Sequence, residues 1–166
     1  MASLSTEVNK VKIENNWKSQ SRIVGRAAEL FCCVNFTCPR CNSCEWLECV
    51  INEKSKDQVC NSCKHNFQIK CKGLKNKKEY DTIVNSGQFK TIGAEYSTTI
   101  KSLENCIDYI IILYDKTDHS IYNIMYVKYE DITEQNIIAR KPLSSTAKRS
   151  GWQGCILHFT SISLLF

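Results

Sequence analysis

The chain has 166 residues, 43% of them hydrophobic and 23% charged, which suits one globular domain and excludes wholesale disorder. Its formal net charge of +5 is compatible with a nucleic-acid partner but too small to argue for one unaided. Eleven cysteines, nine of them between Cys32 and Cys71, form an odd and local cluster, unlike the spread framework of a disulfide-stapled secreted domain.

The opening MASLSTEVNKVKIENN has no apolar core of a signal peptide, and the longest apolar run, Tyr109 to Tyr114, is too short to cross a bilayer. These features predict a cytoplasmic protein with no membrane partner, and we read it as a monomer. Residues 1–17 are polar and read as a flexible arm. SQSRIVGRAAELFCC, residues 19–33, reads as a helix with Ile23, Ala27, Leu30 and Phe31 near one face and Ser19 or Ser21 as cap. The cysteine region 38–71 contains two extended stretches, EWLECVIN and NFQIKCK, followed by a lysine-rich connection, GLKNKK. Residues 88–104 read as a second helix, weakened by Gly93 and several threonines. Tyr109–Tyr114 is a strand buried on both faces, and residues 121–128 are its hairpin partner across DKTDHS. CILHFTSISLLF at the end has strand character. The order of elements predicts a mixed α/β (α+β) fold.

Two pairs, Cys38-Pro-Arg-Cys41 and Cys60-Asn-Ser-Cys63, are separated by eighteen residues, within the window of a four-cysteine zinc site. Two intervening residues turn the chain so that both thiolates meet one ion, and two such knuckles complete a closed tetrahedron. A closed set leaves no position for water and is therefore structural. Cys41-Asn-Ser-Cys44 is also a C-x-x-C, so Cys41 and Cys44 compete with Cys38 and Cys41; the proline after Cys38 favours the latter. Cys44 and Cys49 are then spare, and His65 reads as a surface or hydrogen-bonded residue rather than a ligand.

Asp57 precedes the second knuckle, and Phe67-Gln68-Ile69-Lys70 follows it. On a strand, Gln68 and Lys70 share a face while Ile69 points to the core. The knuckle would fold Asp57 back against them, collecting a carboxylate, an amide oxygen and an ammonium at one place. Such an oxygen set suits Mg²⁺. Two basic segments without acids, residues 64–78 and 139–150, suit phosphate contact. The second holds Arg140, Lys141, Lys148 and Arg149, and Ser144 or Ser145 would cap a short helix over STAKR. Trp152 is either a core anchor, the safer reading, or a ring that contacts bases.

Residues 137–155, IIARKPLSSTAKRSGWQGC, together with the double knuckle, Asp57 and Gln68-Ile69-Lys70, resemble DpnI-type restriction endonucleases, related to the dam-replacing proteins. The order that follows the knuckle is similar too: Thr82-Ile83 with Gly87, a helix, YIIILYD, then a hairpin. The resemblance covers roughly residues 18–158. It implies a PD-(D/E)XK nuclease core over 18–166, a central mixed sheet flanked by helices, with a zinc insertion at 38–63. It also implies zinc on Cys38, Cys41, Cys60 and Cys63, and Mg²⁺ on Asp57, Gln68 and the Ile69 carbonyl, with Lys70 as catalytic lysine. The implied substrate is double-stranded DNA, at GATC with methylated adenine. Arg140, Lys141, Ser145, Lys148, Arg149 and Trp152 are the DNA contacts expected with it. Two departures follow: Gln68 stands where the usual motif has Glu, and the chain reaches Phe166 without the winged-helix domain of DpnI-type enzymes. The rival expectation is a zinc-containing DNA-binding module whose activity has been lost.

Overall fold

The structure is a computed structural model, described for all residues except 1–2, 49–55, 87–88, 96–105, 140, 142–143, 147–153, 160–162 and 165–166. Among the described residues the α-helices and strands follow in the order α1 (Leu4–Asn15), α2 (Gln20–Asn35), β1 (Trp46–Glu48), β2 (Gln58–Cys60), β3 (Asn66–Leu74), α3 (Lys77–Ser86), β4 (Phe89–Glu95), β5 (Asp108–Asp115), β6 (Ile121–Val127), β7 (Ile137–Ala139), β8 (Gly154–Phe159) and β9 (Ser163–Leu164). The main sheet is mixed, ordered β1-β2-β3-β5-β6-β9, and β4-β8-β7 form a smaller sheet. Every neighbouring pair is antiparallel except β3 and β5, which run parallel from Phe67↔Asp108 to Leu74↔Asp115.

The β5 run is apolar throughout because both its faces are covered. Ile110 and Ile112 join α1 and α2 on one side. Tyr109, Ile111 and Leu113 join Leu157 and the partly buried Tyr80 and Ile83 of α3 on the other. The pattern is that of a strand buried between two layers. On β3, Ile69 faces the α2 side with a relative exposure of 7%, so the alternation places Gln68 and Lys70 on the opposite face. No helix among the described residues is long and apolar enough to cross a membrane.

The N-terminal segment differs from the expected flexible arm. Residues 4–15 form α1, capped by the Ser3 hydroxyl, which accepts from the Thr6 N–H at 3.1 Å. The helix ends at Asn16, whose φ of 47° is the left-handed conformation that asparagine tolerates. Leu4, Val8 and Val11 are buried at i, i+4 and i+7. That narrow stripe is enough to dock the helix on α2, and a segment that is polar elsewhere hid it. Leu4→Ala is therefore expected to cost about 2–5 kcal/mol, the usual cost of truncating a buried leucine. Urea unfolding would read it, and a loose arm would show no change.

Two further differences concern local chemistry. Residues 89–95, read as part of a helix, form β4 and pair with β8 from Phe89↔Phe159 to Glu95↔Gly154. Here Thr91 and Ile92 prefer an extended backbone, and the antiparallel partner decides the outcome. The helix lies earlier, over Lys77–Ser86. Its start was signalled by Asn76 and Glu79: the Asn76 side chain accepts from the Glu79 N–H at 3.1 Å, and Glu79 accepts from the Lys75 N–H at 2.8 Å.

Candidate metal centre and adjoining acidic site

The two knuckles have the same backbone construction. In the first, the Asn42 N–H donates to the Cys38 carbonyl at 2.8 Å and the Cys38 N–H to the Ser43 carbonyl at 2.6 Å. In the second, the Lys64 N–H donates to the Cys60 carbonyl at 2.8 Å and the Cys60 N–H to the His65 carbonyl at 2.9 Å. Asn42 and Lys64 both take φ 59°, so each knuckle closes through a left-handed residue four places after its first cysteine. This repetition selects Cys38 and Cys41 over Cys41 and Cys44; Cys44 lies outside the cluster and is exposed.

The Sγ atoms of Cys38, Cys41, Cys60 and Cys63 lie within 4.8 Å of one another. Cys38 to Cys63 is 3.7 Å and Cys41 to Cys60 is 3.6 Å. Four thiolates at about 2.3 Å from one ion form a tetrahedron with edges of about 3.8 Å, so the sulfurs fit a zinc-sized cation. Their electrostatics fit it too. Burial pushes the Cys38 thiol up to about 12. Burial also acts upward on Cys60, but the Cys63 N–H and hydrogen bonds with the Cys41 and Cys63 thiols bring it down to about 7. Crowded thiols ionise together only when a cation balances them.

The second knuckle runs straight into β2 and β3. Gln58 pairs with Phe67, and Asp57 stands one residue before it, with its N–H donating to the Phe67 carbonyl at 2.9 Å. There the backbone ladder stops and a side chain takes over: Asp57 Oδ2 accepts from the Ile69 N–H at 2.7 Å. Burial raises the Asp57 carboxyl above the ordinary range, while the Lys70 charge and the Ile69 N–H pull it back. Gln68 is 5% exposed, and its Oε1 is buried with no hydrogen-bond donor among the described residues. A buried amide oxygen with no donor is costly, and a cation would satisfy it. The residues therefore fit a hard, oxygen-seeking ion such as Mg²⁺. Asp57 and Lys70 are in electrostatic contact here, and Gln68 lies on the same face of β3 as Lys70.

The DNA contacts expected from the sequence are only partly described. Arg140, Lys148, Arg149 and Trp152 lie outside the described residues. Lys141 and Ser145 are exposed, and Ser145 sits in a turn, with residues 147–149 of the expected STAKR helix again outside. On the other basic segment Lys75, Lys77 and Lys78 are exposed at the start of α3.

Sequence reasoning missed a buried carboxylate beside the knuckles. Asp108, first residue of β5, has 0% exposure. Arg40, between Cys38 and Cys41, donates to it through Nε at 2.7 Å and Nη2 at 2.8 Å. The Tyr129 N–H donates at 2.9 Å, the Tyr126 hydroxyl donates too, and His65 Nε2 lies 3.2 Å away. Of the two expectations for His65, surface or hydrogen-bonded, the structure sets it part-buried beside this carboxylate and outside the thiol cluster. Two signals were in view: an arginine set between two ligand cysteines, and an aspartate opening an apolar run.

With four convergent thiols, a buried acid and amide beside them, and a lysine on the same strand, the comparison with known proteins has a site to meet. The family model described as DpnI, Dam-replacing family, matches residues 5–164, nearly the whole length, and the chain belongs to that family.

Proposed function

We propose that the protein is a Mg²⁺-dependent restriction-type endonuclease. On this reading it has a PD-(D/E)XK core, carries a structural zinc on Cys38, Cys41, Cys60 and Cys63, and hydrolyses phosphodiester bonds of double-stranded DNA at GATC with methylated adenine. Membership of the Dam-replacing family supports the substrate class. The observation that carries the reaction is the meeting of Asp57 with Ile69 and Lys70 where β2 leaves β3, beside the donorless Gln68 oxygen.

Asp57, Gln68 and the Ile69 carbonyl would hold Mg²⁺, which supplies Lewis-acid stabilisation of charge on the phosphate oxygens. Lys70 positions the attacking water and offsets negative charge that develops on the phosphate. The hydrophobic environment that raises the Asp57 carboxyl also strengthens both interactions by excluding water. Lys75, Lys77, Lys78 and Lys141 are exposed and suited to the DNA backbone, and Arg140, Ser145, Lys148, Arg149 and Trp152 complete the proposed contact set.

Gln68 favours a second reading, a zinc-containing DNA-binding module without catalysis, because an amide brings no charge to the ion. Incubation of purified protein with fully methylated, hemimethylated and unmethylated plasmid, with Mg²⁺ or EDTA, separates the two. Mg²⁺-dependent cuts confined to methylated GATC are expected; a gel shift with no cleavage at any Mg²⁺ concentration would establish the second reading. Gln68→Glu places a carboxylate at the same position and is expected to lower the Mg²⁺ concentration for half-maximal cleavage about tenfold, since the burial cost of the added charge offsets its attraction for the ion only in part.

A further inference from the structure

We propose that Asp108 is a positioning residue that docks both zinc knuckles against the metal-binding strand, so that the angle at which Asp57 faces Gln68 depends on the zinc site. The inference rests on the nuclease reading above and adds a residue to it.

The carboxylate collects groups from both knuckles. Arg40 comes from the first and reaches it with two nitrogens; His65 comes from the end of the second and approaches Oδ2 at 3.2 Å. The remaining partners, the Tyr126 hydroxyl on β6 and the Tyr129 N–H just beyond it, belong to the body of the domain. A fork-to-carboxylate pair fixes angle as well as distance, which a point charge does not. Arg40 is fixed further by Glu130, through Nη1 at 3.0 Å and Nη2 at 2.6 Å.

Asp108 also lies at the right place in the register. It pairs with Phe67, and the next pair along the same two strands is Gln68 with Tyr109. Asp57, by contrast, reaches the site from just ahead of the short β2, whose last residue is the cluster's Cys60. The two halves of the acidic site therefore meet through two routes. One is the β2–β3 pairing, two residue pairs long and extended by the Asp57 N–H to the Phe67 carbonyl and the Ile69 N–H to Asp57 Oδ2. The other runs from Cys60 across the four-sulfur cluster to Arg40, on to Asp108, and from β5 to β3. The direct contacts hold Asp57 to the neighbours of Gln68, and the second route holds the knuckle end of β2, so the angle at which Asp57 faces Gln68 depends on both. Metal ligands need their supporting groups held to about half an ångström, and loss of such a support commonly costs 10–100-fold in metal affinity.

The test uses the full, zinc-loaded chain as wild type, Asp108→Asn and Arg40→Lys. Zinc per chain, thermal midpoint, Mn²⁺ affinity by calorimetry as a stand-in for Mg²⁺, and kcat and KM for methylated plasmid are measured for each. Both variants are expected to keep one zinc and to bind Mn²⁺ about tenfold more weakly, with kcat reduced and KM for DNA little changed. A lowered thermal midpoint with wild-type Mn²⁺ affinity would mean a purely structural role and would overturn the proposal. Should Asp108→Asn not fold, Arg40→Lys, which keeps the charge but not the fork, decides on the same measurements. A wild type that neither binds Mn²⁺ nor cleaves overturns the nuclease reading itself, an outcome distinct from variants that match a working wild type.

Discussion

Exchanging Cys60 for Ser is expected to take bound zinc from one per chain to a small fraction and to unfold the protein well below the wild-type midpoint, while Cys44→Ser changes neither. The expectation follows from the geometry of the cluster: Cys60 Sγ is 3.6 Å from Cys41 and belongs to the set of four, whereas Cys44 is exposed outside it. Binding of a structural zinc to such a site is worth about 10–16 kcal/mol in isolated zinc peptides near neutral pH. A domain of this size has a net stability of only about 5–15 kcal/mol. Loss of one thiolate therefore removes an amount comparable with the whole margin. Elemental analysis and circular dichroism across a thermal ramp read the two effects together. A Cys60→Ser protein that keeps its zinc and its midpoint would show that the four sulfurs do not act as a site.

Lys70→Ala is expected to lower cleavage by about 10²–10⁴, the range for loss of a positioned proton-transfer or charge-stabilising group, with zinc content and the fold intact. Lys70 is half-exposed on a strand whose neighbours are set by β5, so truncation leaves little unpaired in the core. A second effect comes from Asp57. Burial already lifts its carboxyl, and Lys70 is the larger of the two influences that lower it. Without that charge the carboxyl holds its proton to higher pH. A carboxyl must be ionised to hold the metal, so activity is expected above the Asp57 value in the folded protein and lost as pH falls through it. The acid limb of the pH–rate profile should accordingly move upward in Lys70→Ala, measured on the residual activity. Cleavage that persists at the wild-type rate would remove Lys70 from the chemistry.

How much of this was legible in the sequence depends on the range of the interactions involved. Cysteine pairs two residues apart announce their knuckles, because the turn that joins them is local. The strands β3 and β5 are legible for a similar reason, since alternation in NFQIK and the unbroken YIIILY state their burial directly. The α1 helix was not, because Leu4, Val8 and Val11 make so thin a stripe that polar neighbours outweigh them; only α2 reveals its purpose. For residues 89–95 the local preference was ambiguous, and the β8 partner, 59 to 70 residues later, settled it. The Asp108 contact was beyond reach for the same reason: Arg40 is 68 residues away in sequence and Tyr126 is 18. No local pattern distinguishes an aspartate that will gather such partners from one that faces water. The proposed ligand Gln68 was legible as a position but not as a donorless atom, which only the packed site reveals.

The parallel pairing of β3 with β5 has a consequence in time. A parallel neighbour is reached only by a crossover, and here the chain passes through α3 and β4 before residue 108 lies beside residue 67. Asp57, Gln68 and Lys70 are all synthesised before the strand that holds β3 in place. A nascent chain that stops short of Asp115 carries every proposed catalytic group and lacks the full length of β5. Closing that long connection costs entropy before it returns any contact, and non-local pairings of this kind fold late and slowly. The proposed site is therefore held in its final geometry only once β5 has folded back onto β3.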